Sequence, residues 1–256
     1  MSRIRVFHSS MKDFFHTDKI YNLIYVDPPF NTGKVMSRGD LSYRDVFDNE
    51  EYTHFTLDYM IYSLYHLASN GTMIVHCDWH ECHRIRGVMD YTFGRENFLN
   101  EIIWAYDYGA RSKSRWSCKH DNILIYVRDK KNYTFNYDAI ERIPYMAPGL
   151  VGKEKAERGK TLTDVWWHTI VPTNGKEKTG YPTQKPLGII KRLVEVHSKE
   201  NDECLDFFAG SGTFGEACKL LNRNCDLVDE NEQAVEIMEK RLGVKRCDSL
   251  SVQIAD

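Results

Sequence analysis

From Leu187 to Leu242 the chain alternates helical and strand-like stretches: a helical pattern over Leu187 to Ser198, a strand-like run Glu203 to Phe208, a helical pattern Thr213 to Leu221, a strand-like run Cys225 to Asp229 and a helical pattern Glu232 to Leu242. Such alternation implies a parallel, doubly wound sheet. The earlier part reads the same way, with strands over Arg3 to His8, Leu23 to Val26 and Thr72 to Cys77. Helical stretches follow them over Met11 to Phe15, Glu51 to Ala68 with Asn70-Gly71 as its stop, and His80 to Phe93 ended by Gly94. Phe98 to Tyr106 and Asn122 to Arg128 are two strand-like runs with no helix between them, which predicts an antiparallel pair at one edge of the sheet. The fold class expected is therefore α/β, with a doubly wound, mostly parallel sheet carrying an antiparallel strand pair.

Two segments fall outside this pattern. Asn31 to Asn49 is polar, contains Gly33 and Gly39, and reads as a long surface loop. Lys130 to Pro182 is rich in glycine, proline and lysine and reads as an insertion packed beside the sheet. At 256 residues and 42% hydrophobic content, one α/β domain with an insertion accounts for the whole length. No apolar run approaches the 18 residues or so of a membrane span, and Arg3 and Arg5 are not followed by a signal-peptide core. Seven cysteines without a regular framework point to free thiols in a reducing compartment. A soluble, cytoplasmic protein with no membrane partner is expected.

The net charge of -3 conceals an asymmetry. Gly109 to Arg192 holds 17 Lys and Arg against 8 Asp and Glu, leaving 17 against 29 elsewhere in the chain. A basic middle in an acidic frame predicts a polyanion-binding face.

Two short motifs carry chemistry. Asp27-Pro28-Pro29-Phe30 ends the apolar run Asn22 to Val26 in a carboxylate, two rigid residues without N–H donors and an aromatic ring. Asp27 Oδ and the Pro28 carbonyl can each accept one hydrogen of an exocyclic amine, while Phe30 stacks on its heterocycle. In Leu205-Asp206-Phe207-Phe208-Ala209-Gly210-Ser211-Gly212-Thr213 a strand becomes a helix through two glycines, which lets backbone and ligand approach closely. Asp229 ends the following strand, where an acidic side chain accepts hydrogen bonds from ribose hydroxyls. The turn lacks the third glycine of the dinucleotide fingerprint, and no P-loop is present, so a nucleoside without pyrophosphate fits better.

His76 to His83 is dense in His and Cys and raises an alternative of another class, a non-catalytic zinc-dependent nucleic-acid-binding module. The stretch straddles a strand end and a helix start and has no second Cys pair at a finger-like distance, so no metal is expected.

DPPF at 27 to 30, PTQKP at 182 to 186, FAGSGT at 208 to 213 and DENEQAVEIMEKRL at 229 to 242 together resemble the β-class of amino DNA methyltransferases. The resemblance spans most of the chain. It implies S-adenosylmethionine as donor, a Rossmann-like sheet, double-stranded DNA as substrate and a target recognition insertion. It divides the chain into a catalytic half (1–129), the insertion (130–181) and a cofactor-binding half (182–256). Asp27, Pro28, Pro29 and Phe30 are placed by it in the flipped-base pocket, with Asp27 also near the donor's methionine moiety. Phe208, Ala209, Gly210, Ser211, Gly212 and Thr213 would line the donor, Asp229 its ribose, and Lys185 its methionine carboxylate.

This chain departs from the family pattern in two places. Where the family often has Gly-Asp, with the Asp on the donor's adenine, this chain has Phe7-His8-Ser9-Ser10; Ser9 and Asp248 are alternative substitutes. Phe207 stands where proline is common.

On this reading Asp27 Oδ and Pro28 O orient the amino nitrogen's lone pair for in-line displacement, and a duplex target base is extruded first. Arg111, Lys113, Arg115 and Lys119, interleaved with Trp116, are candidate phosphate contacts. An initial Asp in the tetrapeptide favours adenine N6; cytosine N4 and an RNA amine are the alternatives. The family also brings expectations of a homodimer and of a cognate restriction endonuclease as functional partner.

Overall fold

The computed structural model describes residues 2–15, 18–38, 41–172 and 174–247, without the side chains of 36–44. Its first half contains β1 (Ile4–His8), α1 (Met11–Phe14), β2 (Tyr21–Val26), β3 (Lys34–Arg38), β4 (Leu41–Asp45), α2 (Asn49–His66), β5 (Leu67–Cys77), α3 (Cys82–Met89), β6 (Phe98–Ala105) and β7 (His120–Val127). Then come β8 (Arg142–Ile143), α4 (Lys153–Arg158), β9 (Lys160–Thr161), β10 (Val165–Trp167), α5 (Leu187–His197), β11 (Glu203–Asp206), α6 (Thr213–Leu220), β12 (Asn224–Asp229) and α7 (Glu232–Leu242).

Eight strands form one sheet in the order β1-β12-β11-β2-β5-β7-β6-β10, in which β7 alone runs antiparallel to its neighbours. Both faces are covered, and the strands bury alternate residues to either side. Leu23, Tyr25, Ile74, Ile123 and Ile125 face the core beneath α5, α6 and α7; Ile24, Val26, Met73, Val75, Leu124 and Tyr126 face the core beneath α1, α2 and α3. The strand order reverses between β11 and β2, the position at which sheets of this kind open a ligand crevice beyond the carboxyl ends of their strands.

The expected parallel sheet and its antiparallel pair are both present, but the pair is not at the edge: β10, from the stretch expected to pack beside the sheet, adds outside β6 as a strand of the sheet itself. Three further local expectations are corrected. The polar stretch after Asn31 is a β3–β4 hairpin in the register Lys34↔Asp45 to Arg38↔Leu41, with Gly39-Asp40 falling between the strands in sequence. Its strands lack apolar alternation because the hairpin stands apart from the main sheet. Asn70-Gly71 does not stop a helix: α2 ends at His66 and β5 begins at Leu67, so both residues lie inside the strand. The helix after β5 is shorter than its pattern, passing from α3 into a π-helical turn at Asp90–Gly94 that Gly94 closes at φ 86°.

Asn136 caps the C-terminus of α5, its amide N–H accepted by Val196 O at 2.8 Å and its side chain donating to Glu195 O and Ser198 O at 2.9 and 2.8 Å. Those carbonyls lie at the end of the sheet opposite the crevice, because α5 runs antiparallel to the strands beside it. After β10, which is parallel to β6, the chain returns to the crevice end.

Candidate active site

Asp27 follows β2 directly, and Asp206 ends the neighbouring β11, so the two motifs meet side by side at the switch point. They open on one cleft of about 750 Å³. Asp27, Pro28, Pro29, Phe30, Lys185, Phe208, Ala209, Gly210, Ser211, Thr213 and Asp229 line it; Gly212 and Ser9 do not. The Ser9 amide donates to Asp229 O at 3.2 Å and its hydroxyl to Ser10 O at 3.1 Å, and the cleft is reached instead by Ser10, Met11 and Lys12 at the start of α1. Asp248 lies outside the described residues.

The proline corner is braced from three elements. Tyr52 of α2 donates its hydroxyl to Pro29 O at 2.8 Å. Asp45, buried at the end of β4, accepts the Asn31 amide at 2.7 Å, the Thr32 amide at 3.1 Å and the Thr32 hydroxyl. Asn31, in the left-handed region at φ 55°, donates its side-chain amide to Glu81 at 2.8 Å. Pro28 lines the cleft beside Asp27. Lys185, buried in the cleft wall, donates to both Asp27 oxygens at 2.7 and 2.6 Å, with Nζ 4.8 Å from the Phe30 ring centroid. The resemblance implied a donor carboxylate as the partner of Lys185; in the structure its ammonium lies on Asp27.

Behind Phe30 lies a polar cluster that sequence reasoning missed. The Phe30 ring stacks on His76 at 6.3 Å and 25°. His76 joins the Tyr25 hydroxyl at 3.1 Å and Asp121 at 3.0 Å, and Tyr106 donates to the other Asp121 oxygen at 2.9 Å. Burial opposes the Asp121 charge, yet the hydrogen bond and charge of His76 hold this carboxyl below the usual range. The buried position of His76 on β5, next to a predicted strand end, was the only available signal.

The glycine turn forms the other wall. The Gly210 and Asn231 amides donate to Asp229 at 2.8 and 2.9 Å, which fixes the carboxylate over the turn. Gly210, at φ 50°, lies so near Tyr181 that a Cβ would sit 3.1 Å from its ring. Arg241 of α7 ties the turn from behind, donating to Ser211 O at 3.0 Å and to the Thr213 hydroxyl at 2.8 Å. Asp206 accepts the Phe208 amide at 3.0 Å; burial, then the neighbouring charges of Asp27 and Asp229, push its carboxyl well above the usual range. Burial also raises Asp229. A glycine turn in which a Cβ would crowd the Tyr181 ring, with the Asp229 carboxyl fixed over it, suits a nucleoside whose ribose hydroxyls meet that carboxyl. Phe207 is buried in an aromatic cluster with Phe15 and Tyr59, so its replacement of proline is a packing matter.

The expected phosphate contacts lie in the 107–119 loop after β6, at the same end of the sheet as the cleft. Arg111 is held by Asp107 at 2.8 Å, and Lys119 folds back on Ala110 O at 3.1 Å and on Tyr108 O. Lys113 and Arg115 remain exposed, with the Arg115 guanidinium 5.0 Å from the Trp79 ring, which itself stacks on His80 at 3.8 Å. Trp116 is 93% exposed. The His76 to His83 stretch is dispersed: His76 faces the core, His80 binds Asp78 at 2.7 Å, and Cys82 lies 3.6 Å from Glu101. Among the described residues no group of three or more His, Cys, Asp or Glu is placed to hold a metal ion.

An acceptor-rich corner for an amine, joined at a switch point to a nucleoside turn, defines a group-transfer enzyme acting on an amino nitrogen. The chain belongs to the N6/N4 methyltransferase family, described as DNA methylase, which it matches over residues 21–240. It is 31% identical over 221 residues to the Type II methyltransferase M.HpaI of Haemophilus parainfluenzae, covering 86% of this chain and 68% of that one. It is 27% identical over 252 residues to the DNA adenine methyltransferase YhdJ of Escherichia coli (strain K12), covering 87% and 76%. Its fold is similar to that of the M1.HpyAVI–SAM complex, with TM-score 0.67, 22% identity and coverage of 94% and 100%. It is likewise similar to the cytosine-N4-specific PvuII DNA methyltransferase, with TM-score 0.70, 13% identity and coverage of 94% and 86%.

Proposed function

We propose that the protein transfers the methyl group of S-adenosylmethionine to adenine N6 of a base extruded from duplex DNA. The observation that carries this is the junction of Asp27 and Pro28 with the Gly210 turn in one cleft. Adenine is favoured by the adenine specificity in the name of one relative and by the initial Asp of the tetrapeptide. Several relatives are named Type II methyltransferases, which supports a cognate restriction endonuclease as functional partner.

When bound, the donor supplies an electrophilic methyl group on a cationic sulfur. The chain's own residues do the rest. Asp229 and the Gly210 turn hold the nucleoside end, and Asp27 stands at the neighbouring strand end across the cleft. Asp27 Oδ and Pro28 O accept the two amino hydrogens of the target base, which draws the nitrogen lone pair out of the ring and aims it at the methyl group. The nitrogen becomes cationic on transfer and only then releases a proton, so Asp27 serves first as orienter and electrostatic partner. The exposed cations and aromatic rings of residues 106–119, together with the chain returning after β10, form the DNA-facing rim. Phe135, Asn136 and Glu141 contact α5, Phe135 and Asn136 at its end away from the cleft.

The test is incubation of duplex DNA with methyl-labelled S-adenosylmethionine, followed by nucleoside analysis. N6-methyladenine is the expected product; N4-methylcytosine, or no methylated nucleoside, would overturn the assignment.

A further inference from the structure

One cation touches both elements that a target base needs. Lys185 Nζ donates to the two oxygens of Asp27 and lies over the Phe30 ring. The side chains of the pair are 10% and 18% exposed, so the contact is part of the cleft wall and not a solvated surface pair. The backbone at Lys185 is pinned on both sides. Its carbonyl accepts the Thr213 hydroxyl at 3.3 Å, and the side chain of the preceding Gln184 accepts the Thr179 amide at 2.9 Å and donates to Glu177 O at 2.8 Å. Lys185 thus hangs from a rigid support that spans the nucleoside turn and the segment after β10.

We propose that Lys185 is a positioning residue of the base-binding half of the site and not the ligand of the donor's carboxylate. The proposal rests on the reading of the cleft as an amino-methyltransferase site. An ammonium has three N–H donors, and two of them are committed to Asp27. They fix the plane of the carboxylate, and the same nitrogen covers the ring on which a base would stack. An entering amino group takes over one of the two Asp27 contacts and the heterocycle displaces the ammonium from Phe30; the remaining N–H keeps the carboxylate aimed. Lys185 therefore stands in for the amine in the closed pocket and orients its acceptor in the filled one. A lysine serving the donor would reveal itself in donor affinity; one serving Asp27 would reveal itself in turnover.

The experiment compares Lys185→Met, which keeps the apolar stem and removes the charge, with Lys185→Arg and with the double variant Asp27→Asn/Lys185→Met. Donor Kd is measured by calorimetry without DNA, and kcat and KM are measured on duplex substrate. In Lys185→Met, donor Kd should stay within about twofold of the parent while kcat falls about 100-fold. Lys185→Arg should recover part of that loss, because a guanidinium also pairs with both carboxylate oxygens. The double variant should be no slower than Asp27→Asn alone. A donor Kd weakened about tenfold or more, with kcat kept at saturating donor, would return Lys185 to the donor and sink the proposal, as would an unchanged kcat. A parent protein that binds donor but methylates no DNA would strike the functional reading instead.

Discussion

At the scale of single residues, the site depends on acceptors whose other contacts are already fixed. Pro29 O is taken by Tyr52, the turn that follows by Asp45, and both Asp27 oxygens by Lys185, which fixes the direction in which the corner faces the cleft. Asp27→Asn keeps the shape of the corner but replaces one acceptor oxygen with a donor and removes the charge that faces Lys185. Turnover should fall by about 10²–10³-fold while donor binding, read by calorimetry, persists. Residual turnover near the parent rate would remove Asp27 from its role. Asp27 and Pro28 were legible in the sequence because their chemistry is local: a carboxylate and an N–H-free backbone need no distant partner to be recognised. The residues that aim them, Tyr52, Asp45 and Glu81, were not legible, because each acts across a gap in sequence that only the folded sheet closes.

At the scale of elements, the junction between β11 and α6 shows what a short turn demands. Gly212 caps α6 at φ 72°, and a Cβ there would meet Met238 Cγ of α7 at 2.9 Å. Gly212→Ala should therefore lower stability by about 1–2 kcal/mol in urea unfolding and weaken donor binding, since the turn cannot shift without moving the start of α6. Undiminished stability would show that α7 yields at no cost. Strand and helix order over Leu187 to Leu242 could be read directly, because alternating buried strands and amphipathic helices have distinct periods. The β3–β4 hairpin could not, because its strands lie outside the main sheet and carry no apolar alternation. Residues 130–181 were read as an insertion from composition alone, but the cap that Asn136 places on α5 was not legible, since its partners come together only after the sheet has formed.

At the scale of the whole molecule, His197 at the far end of α5 couples stability to pH. It is fully buried, and burial lowers its pKa from the ordinary 6.5 to about 4. Below pH 6.5 the unfolded chain takes up a proton that the folded one refuses, so this stability is complete above that pH and declines as pH falls toward 4. The loss between pH 7 and pH 5 should be about 2 kcal/mol from this group. Urea unfolding of His197→Gln should show a correspondingly flatter change between those two pH values; an identical change would remove His197 as the source. The arrangement of the strands also bears on how the protein is made. β2 carries the amine-binding corner but pairs on one side with β11, and β1 pairs with β12, more than 200 residues away along the chain. During synthesis the first strands must wait with open edges until residues 203–229 have emerged, and only then can the two walls of the cleft meet. Until residues 203–229 have left the ribosome the chain lacks the donor-facing wall of the cleft, so methylating activity cannot begin before that point.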